Sequence, residues 1–117
     1  MRKFTNIDDR LDFIEFRQDL LFYRDATSEV LFENNITRNE YSKIMDLMDK
    51  YREMIDKRIK VNNSQFEDEM YAILPLELNG NYHFCENITR AFMEDRRWEE
   101  VFWELYGDLP KYAYLRR

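Results

Sequence analysis

From Thr37 to Lys60 the chain reads TRNEYSKIMDLMDKYREMIDKRIK, and this segment constrains the fold more than any other. Tyr41, Ile44, Met48, Tyr51, Ile55 and Ile59 recur at the spacing that lines one side of a helix turning about 100° per residue. Leu47 and Met54 widen one flank. Thr37 with Glu40 has the form of a capping box, which satisfies two otherwise orphaned backbone donors, and Ile36 is placed to staple against Tyr41. The opposite face pairs Asp46 with Lys50, Glu53 with Lys57 and Asp56 with Lys60, acid first at i,i+4, each worth roughly 0.2 to 0.5 kcal/mol. Such a charged face is solvated, so the apolar stripe must be buried against other elements.

Those elements are helices as well. The chain holds only two Gly and two Pro in 117 residues, too few turn formers for a many-stranded sandwich or barrel, and no segment sustains strand-like alternation. The length suits one domain, residues 1–117, and 44% hydrophobic with 16% aromatic residues supplies a core. We therefore predict an all-α, single-domain bundle of about five to six helices. Helix one covers roughly residues 7–25. A short helix follows from the N-cap cluster Asp25-Ala26-Thr27-Ser28 through Phe32, with Asn34 or Asn35 able to turn left-handed at its end. The long helix occupies roughly 38–60. The next begins at a second capping box, Ser64 with Glu67, carries Phe66, Met70, Ile73 and Leu74, and is stopped or kinked by Pro75. Asn79-Gly80 is a turn between helices. A further helix covers about Tyr82 to Asp95 with Phe84, Ile88, Ala91 and Phe92 on one side, and the last runs from Trp98 to Tyr106, with Gly107 and Pro110 as its stop. The tail KYAYLRR packs back through its tyrosines.

The tetrapeptide Asn-Ile-Thr-Arg occurs at Asn35 and again at Asn87. In the first copy Thr37 is a cap and in the second Thr89 lies inside a helix, so the repeat is a coincidence. Both match the glycosylation acceptor, a match without chemistry unless the chain is secreted. The N-terminus has no apolar run, because Asp8, Asp9, Arg10 and Asp12 interrupt it, and no uncharged stretch approaches membrane-spanning length. A single cysteine, Cys85, cannot form an internal disulfide. The expectation is a cytoplasmic protein that does not contact membranes.

The order and spacing of these segments resemble the YhaI-like family of small Gram-positive bacterial and phage proteins of unknown function. The resemblance covers nearly the whole chain. It is carried by Asp-x-Arg-Leu-x-x-Ile-Glu at Asp8 to Glu15, by NNITRNEYSKIM from Asn34 to Met45, by the Ser-x-Phe helix start at Ser64 to Phe66, and by the acidic, aromatic last helix. Asn35 stands where a Gly is expected, and Arg96 stands where a Gly breaks the last two helices. The resemblance implies an all-helical, oligomeric fold and carries no catalytic residue to this chain.

No catalytic, cofactor or metal set emerges from the residues. His83 and Cys85 form a lone His-x-Cys, short of the three or four ligands a metal needs, and two positions apart on a helix their side chains diverge. The carboxylate pairs Asp8-Asp9 and Glu99-Glu100 are adjacent and do not face one another. A di-metal carboxylate bundle wants Glu-x-x-His, which is absent. The net charge of −6, from 24 acidic and 18 basic residues, opposes phosphate backbones. A helix-turn-helix over 28–45 would present Arg38, Asn39 and Lys43 to bases, but Leu31 and Tyr41 are too bulky for their places in such a motif and the second helix is too long.

Interaction with protein is the leading expectation: a non-enzymatic, self-associating module, such as a phage or mobile-element regulator or inhibitor, with itself and an unidentified protein as partners; the alternative is a small DNA-binding regulator using the segment 28–45. Helix one has two apolar sides. Ile7, Leu11, Ile14 and Leu21 are expected to face the core, leaving Phe16, Leu20 and Tyr23 as the seam of a homo-oligomer. Trp103, about 140° around the last helix from Trp98, is the other interface candidate.

Overall fold

The computed structural model describes residues 2–115. These residues contain six α-helices and two 3₁₀ segments, slightly more helical elements than five or six, and among them no strand. In order they are α1 (Ile7–Tyr23), α2 (Ala26–Glu33), α3 (Arg38–Asp56), α4 (Asn63–Tyr71), a 3₁₀ turn (Leu76–Leu78), α5 (Tyr82–Glu94), α6 (Glu99–Tyr106) and a closing 3₁₀ segment (Pro110–Leu115). α2 packs on α5 and α1 lies on α2, while α6 fills the space between α3 and α5, and α4 closes the far end against the same two helices.

The local signals read from the sequence govern most of the helix starts. Asn6 caps α1, and Asp25 caps α2 through the Ser28 amide at 2.7 Å. Thr37 accepts from the Glu40 amide at 3.1 Å while Glu40 accepts from the Thr37 amide at 2.9 Å, which completes the capping box of α3. α4 departs from expectation: its N-cap is Asn62, which accepts from Gln65, and Glu67 instead accepts from the Tyr106 hydroxyl at 2.7 Å. A cap two residues earlier frees Glu67 to satisfy a hydroxyl that would otherwise be buried without a partner.

Helix ends rely on an unusual set of residues. Arg24, Asn35, Arg58, Arg96 and Trp98 all have positive φ, between 47° and 61°, although none is glycine. Arg58 therefore ends α3 at Asp56, four residues short of Lys60, which leaves Ile59 half-exposed and the Asp56/Lys60 pair unmade. The break between α5 and α6 forms at Arg96 without a glycine, closed by the Arg97 amide donating to the Phe92 carbonyl at 2.8 Å. Each such residue costs roughly 1 to 2 kcal/mol relative to a right-handed conformation, offset in part by the backbone bonds that close the helix ends, such as the Ile59 amide to the Met54 carbonyl at 2.9 Å. At the last break the Arg97 guanidinium lies beside the paired rings of Phe92 and Trp98, 5.2 and 4.7 Å from their centroids.

The core is aromatic. Phe13, Tyr51, Phe66, Phe92 and Phe102 are at most 1% exposed. Buried rings with a polar tip pass it to a carboxylate at the edge of the core: Trp98 Nε1 donates to Asp49 at 2.8 Å, Tyr106 to Glu67, Tyr51 to Glu69 and Tyr112 to Glu86. Much of the acidic excess thus serves as acceptors for buried donors. In the tail Tyr112 packs back, 2% exposed, whereas Tyr114 stays 71% exposed.

The two Asn-Ile-Thr-Arg copies differ structurally. Thr37 is a cap, while Thr89 lies inside α5, fully buried, its hydroxyl donating to the Cys85 carbonyl at 2.7 Å. Thr37→Ala is expected to cost about 1 kcal/mol. Thr89→Ala, although mid-helix, is expected to cost at least as much, about 1 to 2 kcal/mol, because it opens a void in a dry contact. Urea melts of the two variants check the ranking.

Candidate interaction surfaces

α1 is apolar on two sides, as its periodicity requires, but the sides are exchanged relative to expectation. Phe13, Phe16 and Leu20 face inward at 1%, 4% and 5% exposure, and the Phe16 ring lies 5.9 Å from that of Tyr41 on α3. Ile7, Leu11, Leu21 and Phe22 face outward at 69%, 53%, 55% and 82%, with Ile14 half-buried among them. Phe16 and Leu20 are therefore core residues of one subunit and are withdrawn as an intersubunit seam, while Tyr23, at 66%, is exposed. The inward side is the one that meets partners: Phe16 packs on Tyr41, and Leu20 joins the core cluster with Leu31 and Ile44. Arg17 reinforces that choice. Its guanidinium lies 3.8 Å from the Phe32 ring centroid and donates to the Phe32 carbonyl and to Asn35, fastening this side of α1 to the end of α2.

Phe16, Leu20 and Tyr23 share a groove of about 750 Å³ with Arg38, Asn39, Tyr41, Met45 and Arg97. Its charged groups already have partners within the chain. Arg38 pairs with Asp12 at 3.0 Å and Asp19 at 3.7 Å and lies over Phe16, Asp25 caps α2, and Arg97 donates to the Tyr41 hydroxyl at 2.8 Å. Of the residues a DNA-binding reading would use, Arg38 is thus neutralised, while Asn39 and Lys43 are exposed on the first turns of α3.

Trp103 is half-buried on α6, its ring 5.1 Å from that of Phe102 at 79°. Gly107 approaches it so closely that a Cβ there would sit 2.4 Å from the Trp103 carbonyl and 2.7 Å from its ring. The indole is therefore packed within its own subunit.

His83 and Cys85 do not act together. His83 is exposed with its ring 4.1 Å from Tyr82, while Cys85 is fully buried. Burial, followed by the charge of Glu67, pushes the Cys85 thiol up to about 12, so it stays protonated and inert as a nucleophile. Among the described residues no three His, Cys, Asp or Glu side chains come together as metal ligands. A second pocket of about 500 Å³, near Glu67, Glu86, Tyr106 and Lys111, is likewise self-satisfied: Tyr112 and Lys111 hold Glu86, and Tyr106 holds Glu67. No helix is long and apolar enough to cross a membrane among the described residues.

Two carboxylates link stability to pH. Partial burial pushes Glu69 up, but hydrogen bonds from Lys50 and Tyr51 outweigh it, and Glu69 lies below the usual carboxylate range. Glu100 is lowered in the same way, burial opposed by the backbone and by Arg52. A depressed folded value contributes stability that is present above the unfolded value, about 4.3, and is lost as pH falls through the folded value. Urea midpoints should therefore drop as pH falls below about 4, and Glu69→Gln should flatten that dependence while lowering the midpoint at neutral pH.

The surface that the sequence reading overlooked is the outer stripe of α1. Among the described residues nine large apolar side chains are left exposed, and four of them, Ile7, Leu11, Leu21 and Phe22, lie on this one stripe; Tyr23 is exposed on the other side of the helix, beside Phe16 and Leu20. The spacing of Ile7, Leu11, Ile14 and Leu21 identified the stripe but not its direction. No family model, curated protein or solved structure matches the chain.

Proposed function

We propose that this chain is a protein-interaction module, not an enzyme or a DNA-binding regulator, and that its working surface is the outward face of α1. The observation that carries the reading is the concentration of exposed apolar side chains on one helix whose other side is already buried. Monomeric proteins rarely leave such a contiguous patch to water, and patches of this kind mark protein contacts. The grooves elsewhere are satisfied within the chain, and the thiol is buried and protonated.

The test uses Leu11→Ser/Leu21→Ser/Phe22→Ser, which changes only exposed positions and should leave the circular dichroism spectrum intact. Sedimentation velocity and affinity capture compare wild type with this variant. Self-association, or capture of specific proteins, that is lost in the variant supports the reading. Two monomers that retain identical proteins overturn it.

A further inference from the structure

We propose that the outward face of α1 is a seam for further copies of this chain, with the α1 helices side by side, parallel and in register. The proposal rests on the reading of that face as the protein-binding surface and names its occupant. Ile7, Leu11, Ile14, Gln18 and Leu21 follow one another at alternating steps of four and three, the heptad spacing of a coiled-coil seam, with Leu11 and Gln18 at a and Ile7, Ile14 and Leu21 at d. All lie on the 17-residue α1, with Gln18 exposed like its neighbours.

The flanking charges decide the direction. Asp8 and Glu15 fall at e, and Arg10 and Arg17 fall at g. In a parallel pair each g faces the following e of its neighbour, so Arg10 meets Glu15 of the second copy twice across the axis. An antiparallel pair centred on Ile14, with Ile7 opposite Leu21, would instead bring Glu15 towards Glu15 of the second copy, like against like, and would leave Arg10 without a partner, since Arg17 is held on Phe32 within its own subunit. Arg10, Asp8 and Glu15 are exposed, and their charged side chains pair with nothing among the described residues. Gln18 contributes to the register, since a single amide at an a position is best satisfied by its own copy. A 17-residue helix is marginal alone, but α1 is already ordered by Phe13, Phe16 and Leu20, so association need not form it.

Ile7→Cys and Leu21→Cys test the geometry by mild oxidation, with Cys85 silent because it is fully buried. In the parallel seam each variant alone yields a disulfide-linked pair. Linkage only when the two variants are mixed means an antiparallel seam and overturns the proposal. No linkage, together with a wild type that sediments as a monomer at tens of micromolar, also overturns it; the broader protein-binding reading then survives if capture still depends on the stripe. The charges are tested separately: Arg10→Glu should weaken association about tenfold, with two exposed pairs lost and turned repulsive. Arg10→Glu/Glu15→Arg should restore it. Equal affinities for wild type and Arg10→Glu would remove the argument for a parallel direction.

Discussion

Leu20→Glu is expected to abolish cooperative folding, whereas Leu11→Glu, nine residues earlier on the same helix, is expected to leave it unchanged. Leu20 is 5% exposed, in the same core cluster as Phe16, Leu31 and Ile44. A carboxylate placed there leaves water for an apolar cluster, which costs several kcal/mol, a large part of the 5 to 15 kcal/mol that stabilises a typical domain. Leu11 is 53% exposed, so its replacement stays in water and should shift the urea midpoint by no more than about 0.5 kcal/mol. Circular dichroism with urea melts reads both. A folded Leu20→Glu chain beside an unfolded Leu11→Glu chain would reverse the assignment of the two faces of α1. The contrast also separates core from seam, because Leu11→Glu should lose self-association while keeping its fold.

Phe92→Ala is expected to cost about 3 to 5 kcal/mol, the range for removing a fully buried phenylalanine. Phe92 is 0% exposed, meets Trp98 edge-on at 4.8 Å and stacks 6.4 Å from Tyr41. It also supports the Arg97 guanidinium, and its carbonyl accepts the bond that closes the break between α5 and α6. Truncation therefore leaves a cavity and loosens the turn in which Arg96 is held left-handed. Phe92→Leu, which keeps most of the volume, should cost less than about 2 kcal/mol. An alanine variant that melts within about 1 kcal/mol of wild type would show that the site collapses, and that the Phe92 ring does not hold the turn.

How much of this was legible depends on the distance over which each interaction acts. The capping box of Thr37 and Glu40, the Asp25 cap, the left-handed Asn35 and the span of α5 all depend on residues within a few positions, and each was readable. The ends at Arg24, Arg58 and Arg96 were not, because left-handed helix ends are marked in a sequence by glycine or asparagine, and an exposed arginine carries no such signal. The start of α2 shows the same limit. Asp95 accepts from the amides of Ala26 and Thr27, at 3.1 and 2.7 Å, across a separation of nearly seventy residues. Periodicity cannot reveal such a cap.

The interaction surface divides in the same way. The sequence alone determined an all-helical chain, the register of each helix and the presence of two apolar sides on α1, since these follow from spacing along one axis. Only the tertiary structure decided which side is the core. Spacing defines angles around a helix but not what lies at each angle; the choice appears only in the packing of Phe16 on Tyr41, of Leu20 in the core cluster and of Arg17 on Phe32. That choice left Ile7, Leu11, Leu21 and Phe22 facing water, and so placed the candidate seam on the side opposite to the one the pattern suggested.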